Sequence, residues 1–310
     1  MRYTLRQLEV FVAVGRYQSA SRAAEELGLS QSATSTALAE LEKQFDVRLF
    51  DRFGKRLQLN ELGHQLLPRA IELLDRAAEV EHALNGEAGL AHLHIGATVT
   101  IGNYLASLLV GEYLQCHPGS QIKLGVHNTA TVIQQVAHFE IDFGLVEGDC
   151  QHPELEVENW VADELVIFAA PEHPLARAGK ATLAELARVP WIVREAGSGT
   201  RQTFDAALRH IGSKLDIRLE LEQTEAIKRA VESGLGVGCI SRLALRDAFQ
   251  RGSLVPIAVD GLDLSRQFHF VVHKQKFRTP GMQAFLQLCR DVAANVAVSD
   301  EIVLGRHAAA

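Results

Sequence analysis

The stretch "LGLSQSATSTALAELEKQF" (27–45) decides how the first part of this chain folds. Gly28 tolerates the positive φ of a tight turn, and Ser30 is a favourable N-cap for the helix that follows. We expect the buried stripe of that helix to hold positions four, three and four apart: Thr34, Leu38, Leu41 and Phe45. The opposite face is polar and uncharged, since no Lys or Arg occurs from residue 23 to residue 42.

The flanking segments complete a small domain. "SASRAAEEL" (19–27) predicts a short supporting helix, which makes the two helices a helix-turn-helix. "RLFDRFGKRLQL" (48–59) predicts a β-hairpin, or wing, with its tip at residues 53–55. These elements favour DNA binding, and the alternative is a solvated polar face in some other three-helix domain.

A long helix is predicted from its N-cap Asn60 to about residue 85. Its apolar residues form a heptad seam: Leu66, Ala70, Leu73, Ala77, Val80 and Leu84. A second apolar stripe, at Leu67, Ile71 and Leu74, adds more apolar surface than one neighbour would cover, so we expect dimerisation. The alternative is a helix packed only on its own domain. Pro68 is expected to kink this helix or mark its effective start.

Strands and helices alternate from residue 92 onward. The predicted strands are "HLHIGA", "QIKLGV", "IDFGLV", "ELVIFAA", "WIV", "IRLELE", "VGCI", "LVPIAV" and "FHFVV". Such alternation predicts βαβ units, a largely parallel sheet and two lobes with a cleft between them.

Charge is unevenly distributed along the 310 residues, whose formal net charge is −7. Residues 1–60 carry a net charge of +2 and the remainder −9, so only the first part suits a polyanionic partner. The four cysteines are scattered and none forms a CxxC pair, which favours reduced thiols. No signal peptide and no run of about 18 apolar residues occurs, so we expect a cytoplasmic protein without membrane spans.

The chain resembles the LysR-type transcriptional regulators over its whole length. The similar segments are "LRQLEVFVAV" (5–14), "SASRAAEELGLSQSATSTALAELE" (19–42), "RLFDR" (48–52), "LNELGHQLLPRA" (59–70), "GATVTIGNYL" (96–105), "APEHPL" (170–175), "REAGSGTR" (194–201) and "EAIKRAVESGLGVGCIS" (225–241). The last of these is most similar to the branch that includes regulators of carbon fixation and sulfur assimilation.

The resemblance implies an α/β chain with three parts. They are a winged helix-turn-helix (1–59), a long linker and dimerisation helix (60–90) and a two-lobed effector domain (91–300) like the type 2 periplasmic binding proteins. Lobe 1 is expected at about 91–161 and 267–300, and lobe 2 at about 162–266. The implied function is transcriptional regulation, not catalysis, by a homodimer or homotetramer on double-stranded DNA, with a small, often anionic metabolite bound between the lobes.

Carried onto this sequence, the resemblance predicts DNA contacts at Arg22, Gln31, Ser32, Ser35, Thr36, Arg52, Lys55 and Arg56. The neutral members suit base edges, whereas the cations suit phosphates. Small side chains at Thr36, Ala37 and Ala39 argue against a guanine-reading Arg, so we expect half-sites that lean towards A·T.

Two predicted helix starts favour a small anion, because their free N–H groups and hydroxyls are donors. The residues expected to bind the effector are Thr98, Thr100, Asn128, Thr129, Ser198, Gly199, Thr200 and Arg201. Arg201 is expected to act as a bidentate clamp, and ordinary helix capping is the alternative role for the hydroxyls. Glu147 and Glu225 are expected only to line the cleft, because an acid repels an anion.

No catalytic, metal or cofactor site is expected. "GSGT" lacks the lysine of a P-loop, and "GLGVG" (234–238) follows a helix, the wrong order for a dinucleotide site. His92 and His94 share a strand face without a spaced carboxylate or thiol companion. Two other functions stay open: a solute-binding or enzyme domain with an unrelated helical bundle, and an architectural DNA binder that responds to no effector.

Overall fold

The computed structural model describes residues 2–54, 56–84, 91–209 and 215–303, which form two compact units. The N-terminal unit consists of Met1–Leu90 with the short segments His138–Glu140 and Lys274–Gly281. The C-terminal unit contains Ala91–Ala137, Ile141–His273 and the segment from Met282 onward.

The N-terminal unit holds four helices and a hairpin. They are α1 (Leu5–Tyr17), α2 (Ala20–Glu26), α3 (Gln31–Phe45), β1 (Phe50–Phe53), β2 (Arg56–Leu59) and α4 (Glu61–Leu84). Gly28 has φ +63 in the turn before α3, as expected. Phe11, Leu38 and Phe50 are buried in one core, which joins the three helices to the hairpin. The predicted helix-turn-helix and wing are therefore present.

Helix α4 begins at Glu61, and the Asn60 side-chain oxygen accepts a hydrogen bond from the Gly63 N–H (2.9 Å). Pro68 lies inside the helix rather than at its start. The second apolar stripe packs inward, with Leu67 and Ile71 buried in the core of the N-terminal unit. The heptad seam remains open along its later part, where Leu73, Val80 and Leu84 are 36%, 60% and 83% exposed. Across the described ranges, no helix is long and apolar enough to cross a membrane.

The C-terminal unit begins with alternating strands and helices. These are β3 (His92–Thr98), α5 (Val99–Ile101), a π-helical turn (Gly102–Ala106), α6 (Ser107–Cys116), β4 (Gln121–His127), α7 (Thr129–Ala137), β5 (Phe143–Glu147), β6 (Leu155–Ala169), α8 (Pro174–Ala178), β7 (Lys180–Ala181) and α9 (Leu183–Leu186). It continues with β8 (Pro190–Arg194), α10 (Gly199–Leu208), β9 (Asp216–Leu221), α11 (Thr224–Glu232), β10 (Val237–Ser241), α12 (Arg242–Arg251), β11 (Val255–Pro256), β12 (Ala258–Val259), β13 (Ser265–His273), α13 (Pro280–Ala293) and a 3₁₀ turn (Ser299–Glu301).

The main sheet is mixed rather than largely parallel. Its strand order is β4-β3-β5-β13-β6-β10-β8-β9, and β11 also pairs with β6. Strands β3, β4 and β5 are mutually parallel, as are β8, β9 and β10, but β6 and β13 run antiparallel to their neighbours. Strand β6 begins well before the predicted strand "ELVIFAA", since residues 155–160 carry the alternating polar side chains of a half-exposed strand.

Strand β6 is shared by two lobes. Lobe 1 holds β3, β4, β5, β13 and the start of β6, around buried Phe143, Phe270 and Phe285. Lobe 2 holds the end of β6 with β8, β9 and β10, around buried Trp191 and Phe204. The carboxyl ends of parallel strands form the usual binding edge of such sheets, so the polar residues that follow them are the candidates for a ligand site.

Candidate functional site

The face of α3 opposite its buried stripe is open to solvent. The helix begins at the predicted N-cap, where the Ser30 hydroxyl accepts a hydrogen bond from the Ala33 N–H (3.1 Å). The side chains that the sequence assigns to base contacts are all exposed: Gln31, Ser32, Ser35 and Thr36. Amide and hydroxyl groups on such a face can hydrogen-bond to base edges in a major groove.

The buried stripe of α3 is shorter than predicted. Thr34, Leu38 and Leu41 are buried, and the Thr34 hydroxyl donates to the carbonyl oxygen of Ser30 (3.2 Å). Phe45 is 44% exposed, so its expected burial is wrong. Because Phe45 is the last residue of α3, its ring lies at the edge of the core.

The cations assigned to DNA contacts flank α3, and the positive charge on the helix itself, Lys43, lies in its last turn. Arg22 is exposed on α2, and Arg52 and Arg56 are exposed on the wing. The hairpin register places the two wing arginines on opposite faces of the ribbon. Arg52 shares its face with Phe50, which packs into the core, whereas Arg56 lies on the solvent-facing side. Lys55 lies outside the described residues.

An apolar groove of about 440 Å³ separates the end of α3 from α4. The side chains that line it include Tyr3, Leu41, Phe45, Leu62, Leu66 and Leu73. Apolar surface of this extent on a helix is typical of a surface that another chain covers.

In the C-terminal unit, two of the predicted effector residues, Thr98 and Thr100, bind Glu147. Thr98 ends β3, Thr100 lies in the first helical turn after it, and Glu147 ends β5. Both threonine hydroxyls donate to the Glu147 carboxylate, Thr100 over 3.2 Å. All three side chains are almost fully buried.

Two further predicted effector residues, Thr129 and Gly199, contact Glu147 where the two lobes touch. The Thr129 hydroxyl donates to the carbonyl oxygen of Glu147 (3.1 Å) and accepts from the Gly199 N–H at the start of α10 (3.0 Å). A Cβ on Gly199 would collide with that same carbonyl oxygen, so only glycine allows this approach. Gly148, with φ +88, lies directly against Gly199 from lobe 1.

A buried guanidinium joins these groups. Arg266 Nε donates to Asp163 (2.7 Å), and its Nη1 donates to the Thr200 hydroxyl (2.9 Å) and lies 3.8 Å from Glu147 Oε1. The other Asp163 oxygen accepts from the hydroxyls of Ser241 (2.7 Å) and Ser299 (2.5 Å). The site therefore contains two buried carboxylates and one buried cation, which are mutually compensated by hydrogen bonds.

Some buried donors in this region have no acceptor among the residues that the structure describes. They include the Ser198 hydroxyl at the N-cap of α10 and Arg266 Nη2. Buried polar groups are normally hydrogen-bonded, so each of these donors is free to bind an acceptor atom of a ligand or an ordered water.

Arg201 and Asn128 are predicted effector residues whose side chains already have partners within the protein. Arg201 turns away from the cleft, since its guanidinium binds Asp205 (2.9 Å), Glu220 (2.8 Å) and the Arg194 carbonyl oxygen (2.9 Å). Burial would lower the pKa of Arg201, but these hydrogen bonds outweigh it and raise the pKa. Asn128 is half-buried, and its side-chain oxygen accepts from the Thr131 N–H (3.0 Å) as a helix cap.

A second polar contact bridges the lobes at Tyr104, which lies in the π-helical turn. Its hydroxyl donates to Glu225 of α11 (2.5 Å), and Lys228 binds the same carboxylate (2.5 Å). Burial and the hydrogen bond to Glu225 raise the pKa of Tyr104. Burial alone would raise the pKa of Glu225, but the hydrogen bonds from Lys228 and Tyr104 lower it. Glu225 therefore contacts the other lobe instead of merely lining the cleft.

Sequence reasoning missed Arg266 and Asp163, although a signal was present. Arg266 is in phase with buried Phe268 along β13, and Asp163 is in phase with buried Leu165 along β6. A charge at the inward position of an alternating strand must have a buried partner. Two such charges of opposite sign on adjacent strands predict the ion pair that the structure contains.

Two protein families match successive parts of the chain. Residues 5–64 match the bacterial regulatory helix-turn-helix protein of the lysR family, and residues 86–294 match the LysR substrate binding domain. The two matched regions leave few residues unassigned, so a helix-turn-helix next to an unrelated enzyme or solute-binding protein is not supported.

Individual transcriptional regulators are similar to this chain over most of its length. The chain is 44% identical to the Escherichia coli K12 HTH-type transcriptional regulator YeiE, over 93% of this chain and 98% of that protein. It is 33% identical to the RuBisCO operon transcriptional regulator of Allochromatium vinosum, over 96% and 98% of the two chains. The regulatory domain of Synechocystis CcmR, solved in complex with 2-PG, matches 66% of this chain and 98% of its own with a TM-score of 0.62 and 27% identity.

Proposed function

The chain belongs to the LysR family of bacterial transcriptional regulators, and from this premise we propose which surfaces bind DNA and which bind an effector. It is a DNA-binding regulator with an effector domain, not an enzyme. We assign the DNA-binding domain to residues 1–59, the linker helix to 60–90 and the effector domain to 91–300, in a cytoplasmic protein.

The exposed face of α3 is the part that reads sequence. Gln31 can bind adenine through two hydrogen bonds, and Ser35 and Thr36 offer hydroxyl and methyl contacts. Arg22, Lys55 and Arg56 supply phosphate contacts, which give most of the affinity without sequence choice. Arg52, at the tip of the inward face of the wing, belongs to the same phosphate-binding group.

The exposed seam of α4 is the dimer interface. Leu73, Val80 and Leu84 are exposed along one face of a 24-residue helix, and the groove beside it is apolar. A second α4 would cover this surface, as heptad seams do. Two DNA-binding domains on one operator add their affinities, which a neutral reading face requires more than a basic one does. A tetramer would place two such dimers on two sites.

The effector is a small anion, bound where the lobes meet. The observation that carries this assignment is a pair of buried donors that find no acceptor among the described residues: the Ser198 hydroxyl at the start of α10, and Nη2 of Arg266, whose Nη1 binds Thr200 of that helix. Helix starts with hydroxyls and a guanidinium favour oxyanions. That CcmR, a protein of similar fold, is solved with 2-PG (2-phosphoglycolate) supports a ligand of this charge. Thr98, Thr100, Asn128, Thr129, Gly199 and Thr200 would surround it.

Effector binding would control the regulator by changing the relative position of the lobes. A ligand shifts such an equilibrium only by the difference between its affinities for the two arrangements. Residues from both lobes contact one another at Glu147, Gly199 and Arg266, so an anion bound there has different partners in each arrangement.

A genome-wide footprint of the purified protein tests the DNA-binding assignment, and a thermal-shift series with sulfite, sulfate, phosphate and 2-phosphoglycolate tests the effector class. We expect footprints at paired half-sites that lean towards A·T. At least one anion should raise the melting temperature and alter the footprint. A regulator whose footprint and melting temperature respond to no anion would contradict the effector assignment while leaving the DNA assignment intact.

A further inference from the structure

Glu147 is surrounded as a bound anion would be. Its carboxylate is buried at the end of β5 and accepts hydrogen bonds from the hydroxyls of Thr98 and Thr100. The guanidinium of Arg266 lies 3.8 Å from the same carboxylate. Two hydroxyl donors and one cation are the partners that a protein gives to a small carboxylate ligand.

The Thr98 hydroxyl donates to the Glu147 carboxylate instead of capping the helix that follows it. Thr98 is the N-cap of a helical run that continues from Val99 to Cys116, yet its side chain makes no capping hydrogen bond. A negative charge at the start of such a run is stabilised by the helix dipole. The side chain of Glu147 therefore fills a position in lobe 1 that suits an anion.

The hydrogen bonds between the lobes lie directly beside Glu147. Its carbonyl oxygen accepts from Thr129, which accepts in turn from the N–H of Gly199 in lobe 2. Arg266, which contacts the carboxylate, also donates to Thr200 in lobe 2. The lobes are thus joined around Glu147 by the residues that would surround an effector.

We propose that Glu147 is a built-in carboxylate ligand that fills the anion position beside the contact between the lobes, and that an effector oxyanion binds by displacing it. This inference rests on the proposed function, since it requires an anionic effector in the cleft. It assigns to Glu147 a role as competitor and specificity determinant in place of a residue that only lines the cleft.

Displacement follows from the charges that are already buried. Glu147 and Asp163 supply two carboxylates against the single guanidinium of Arg266. A third anion beside them would lack a counter-charge in a desolvated site, which is strongly unfavourable. If the Glu147 side chain moves out, the incoming anion can bind Thr98, Thr100 and Arg266 in its place.

Displacement also explains the unsatisfied donors. The Glu147 carboxylate accepts from the two threonines and lies 3.8 Å from Arg266 Nη1, and neither Ser198 nor Arg266 Nη2 donates to it. Ser198 and Arg266 Nη2 then remain without an acceptor among the described residues. An oxyanion with three or four oxygens can serve these donors as well, so it can outcompete the side chain where a plain carboxylate has no advantage.

Glu147→Gln in the full-length chain tests the proposal, with inorganic phosphate as the probe and isothermal titration calorimetry as the readout. The amide keeps the shape of the side chain but removes the competing charge. We expect phosphate to bind the variant at least about tenfold more tightly than the wild type. Glu147→Asp withdraws the carboxylate from the threonines by one methylene, and it should give an intermediate gain if Glu147→Gln proves unstable.

Two further variants make the result decisive. Glu154→Gln changes the net charge equally at an exposed position of lobe 1 and should leave phosphate affinity unchanged. Thr100→Val should weaken phosphate binding in the Glu147→Gln background, because the probe takes over that hydroxyl.

The outcomes separate this inference from the proposed function. If Thr100→Val weakens binding of phosphate to the wild type but Glu147→Gln and Glu147→Asp do not strengthen it, the anion site stands and the competitor role is wrong. If neither the wild type nor the Glu147 variants bind phosphate, the competitor role and the anionic effector both fail.

Discussion

Two hydroxyl-rich helix starts in this molecule use the same residue types in opposite ways. On α3, Ser32, Ser35 and Thr36 are exposed. In the effector cleft, Thr98, Thr100 and Thr200 are at most 2% exposed and bonded to Glu147 or Arg266. Apart from Ser32, whose hydroxyl is hydrogen-bonded to that of Ser30 (3.0 Å), the first set gives up only water to a partner, whereas the second must break hydrogen bonds within the protein. Substitutions in the two regions should therefore affect different properties, DNA binding in one and stability in the other.

The largest expected effect is that of Arg266→Ala. The change leaves the buried carboxylates of Asp163 and Glu147 without their cation, which costs about 3–5 kcal/mol for a buried pair. Urea unfolding followed by tryptophan fluorescence measures it, because both tryptophans of the chain, Trp160 and Trp191, lie in the C-terminal unit.

Arg56→Ala is the matched control, since it removes an exposed arginine from the other unit. Its tryptophan unfolding curve should overlay that of the wild type. Equal destabilisation by the two substitutions would contradict the distinction between a buried, paired guanidinium and an exposed one.

Gly199→Ala should have the next largest effect. The added Cβ would collide with the Glu147 carbonyl oxygen, and a backbone atom cannot move aside as a flexible side chain can. We expect destabilisation of about 3 kcal/mol, the upper part of the range for overpacking, or separation of the lobes. The same fluorescence experiment, together with hydrogen exchange at residues 199–203, measures both results.

Gly111→Ala provides the comparison, because Gly111 lies in α6 and a Cβ there meets no neighbouring atom. Alanine in a helix should be neutral or stabilise by up to about 1 kcal/mol. A loss of stability at Gly111 as large as that at Gly199 would show that helical propensity, not the contact between lobes, decides both results.

Sequence patterns predicted α3 more completely than the cleft, for a physical reason. The start of α3 and its exposed face depend on local features, a capping Ser30 and the spacing of Leu38 and Leu41. The cleft depends on which distant residues meet. The threonines were identified from helix starts, but nothing local distinguishes a hydroxyl that faces a ligand from one that faces Glu147.

The same local reasoning underlies the expectations for Arg201 and Phe45. Arg201 was expected to clamp an anion because it lies in the first turn of α10. It is engaged by Asp205, one helical turn later, and by Glu220 on β9. Phe45 was assigned to the core by spacing alone, but the core of the N-terminal unit ends before the last turn of α3. Local periodicity does not show where a neighbouring element stops.

Gln31→Ala should reduce sequence discrimination by about 1–2 kcal/mol at one base pair of each half-site, without affecting stability. Gln31 is exposed at the start of α3, and its amide can make a bidentate contact with adenine. Binding to a set of single-base operator variants by fluorescence anisotropy measures the effect. If Gln31→Ala weakened all sequences equally, Gln31 would be a phosphate contact and the base-reading role of this face would move to Ser35 and Thr36.

The smallest expected effect is that of Arg56→Ala on DNA affinity, about 1 kcal/mol at moderate salt. Each phosphate contact releases about 0.9 counterions, so the slope of log K against log salt should become shallower by about one. The loss should be the same for the operator and for unrelated DNA, because phosphates carry no sequence information.

Arg52→Ala, on the opposite face of the wing, is the matched variant. A change in slope for Arg52→Ala but not for Arg56→Ala would place the inward face of the wing, not its solvent-facing side, against the DNA. A change in sequence preference without any change in slope would make Arg56 a base-reading residue. Base contacts would then not be confined to the neutral side chains of α3, nor would the cations contact phosphates alone.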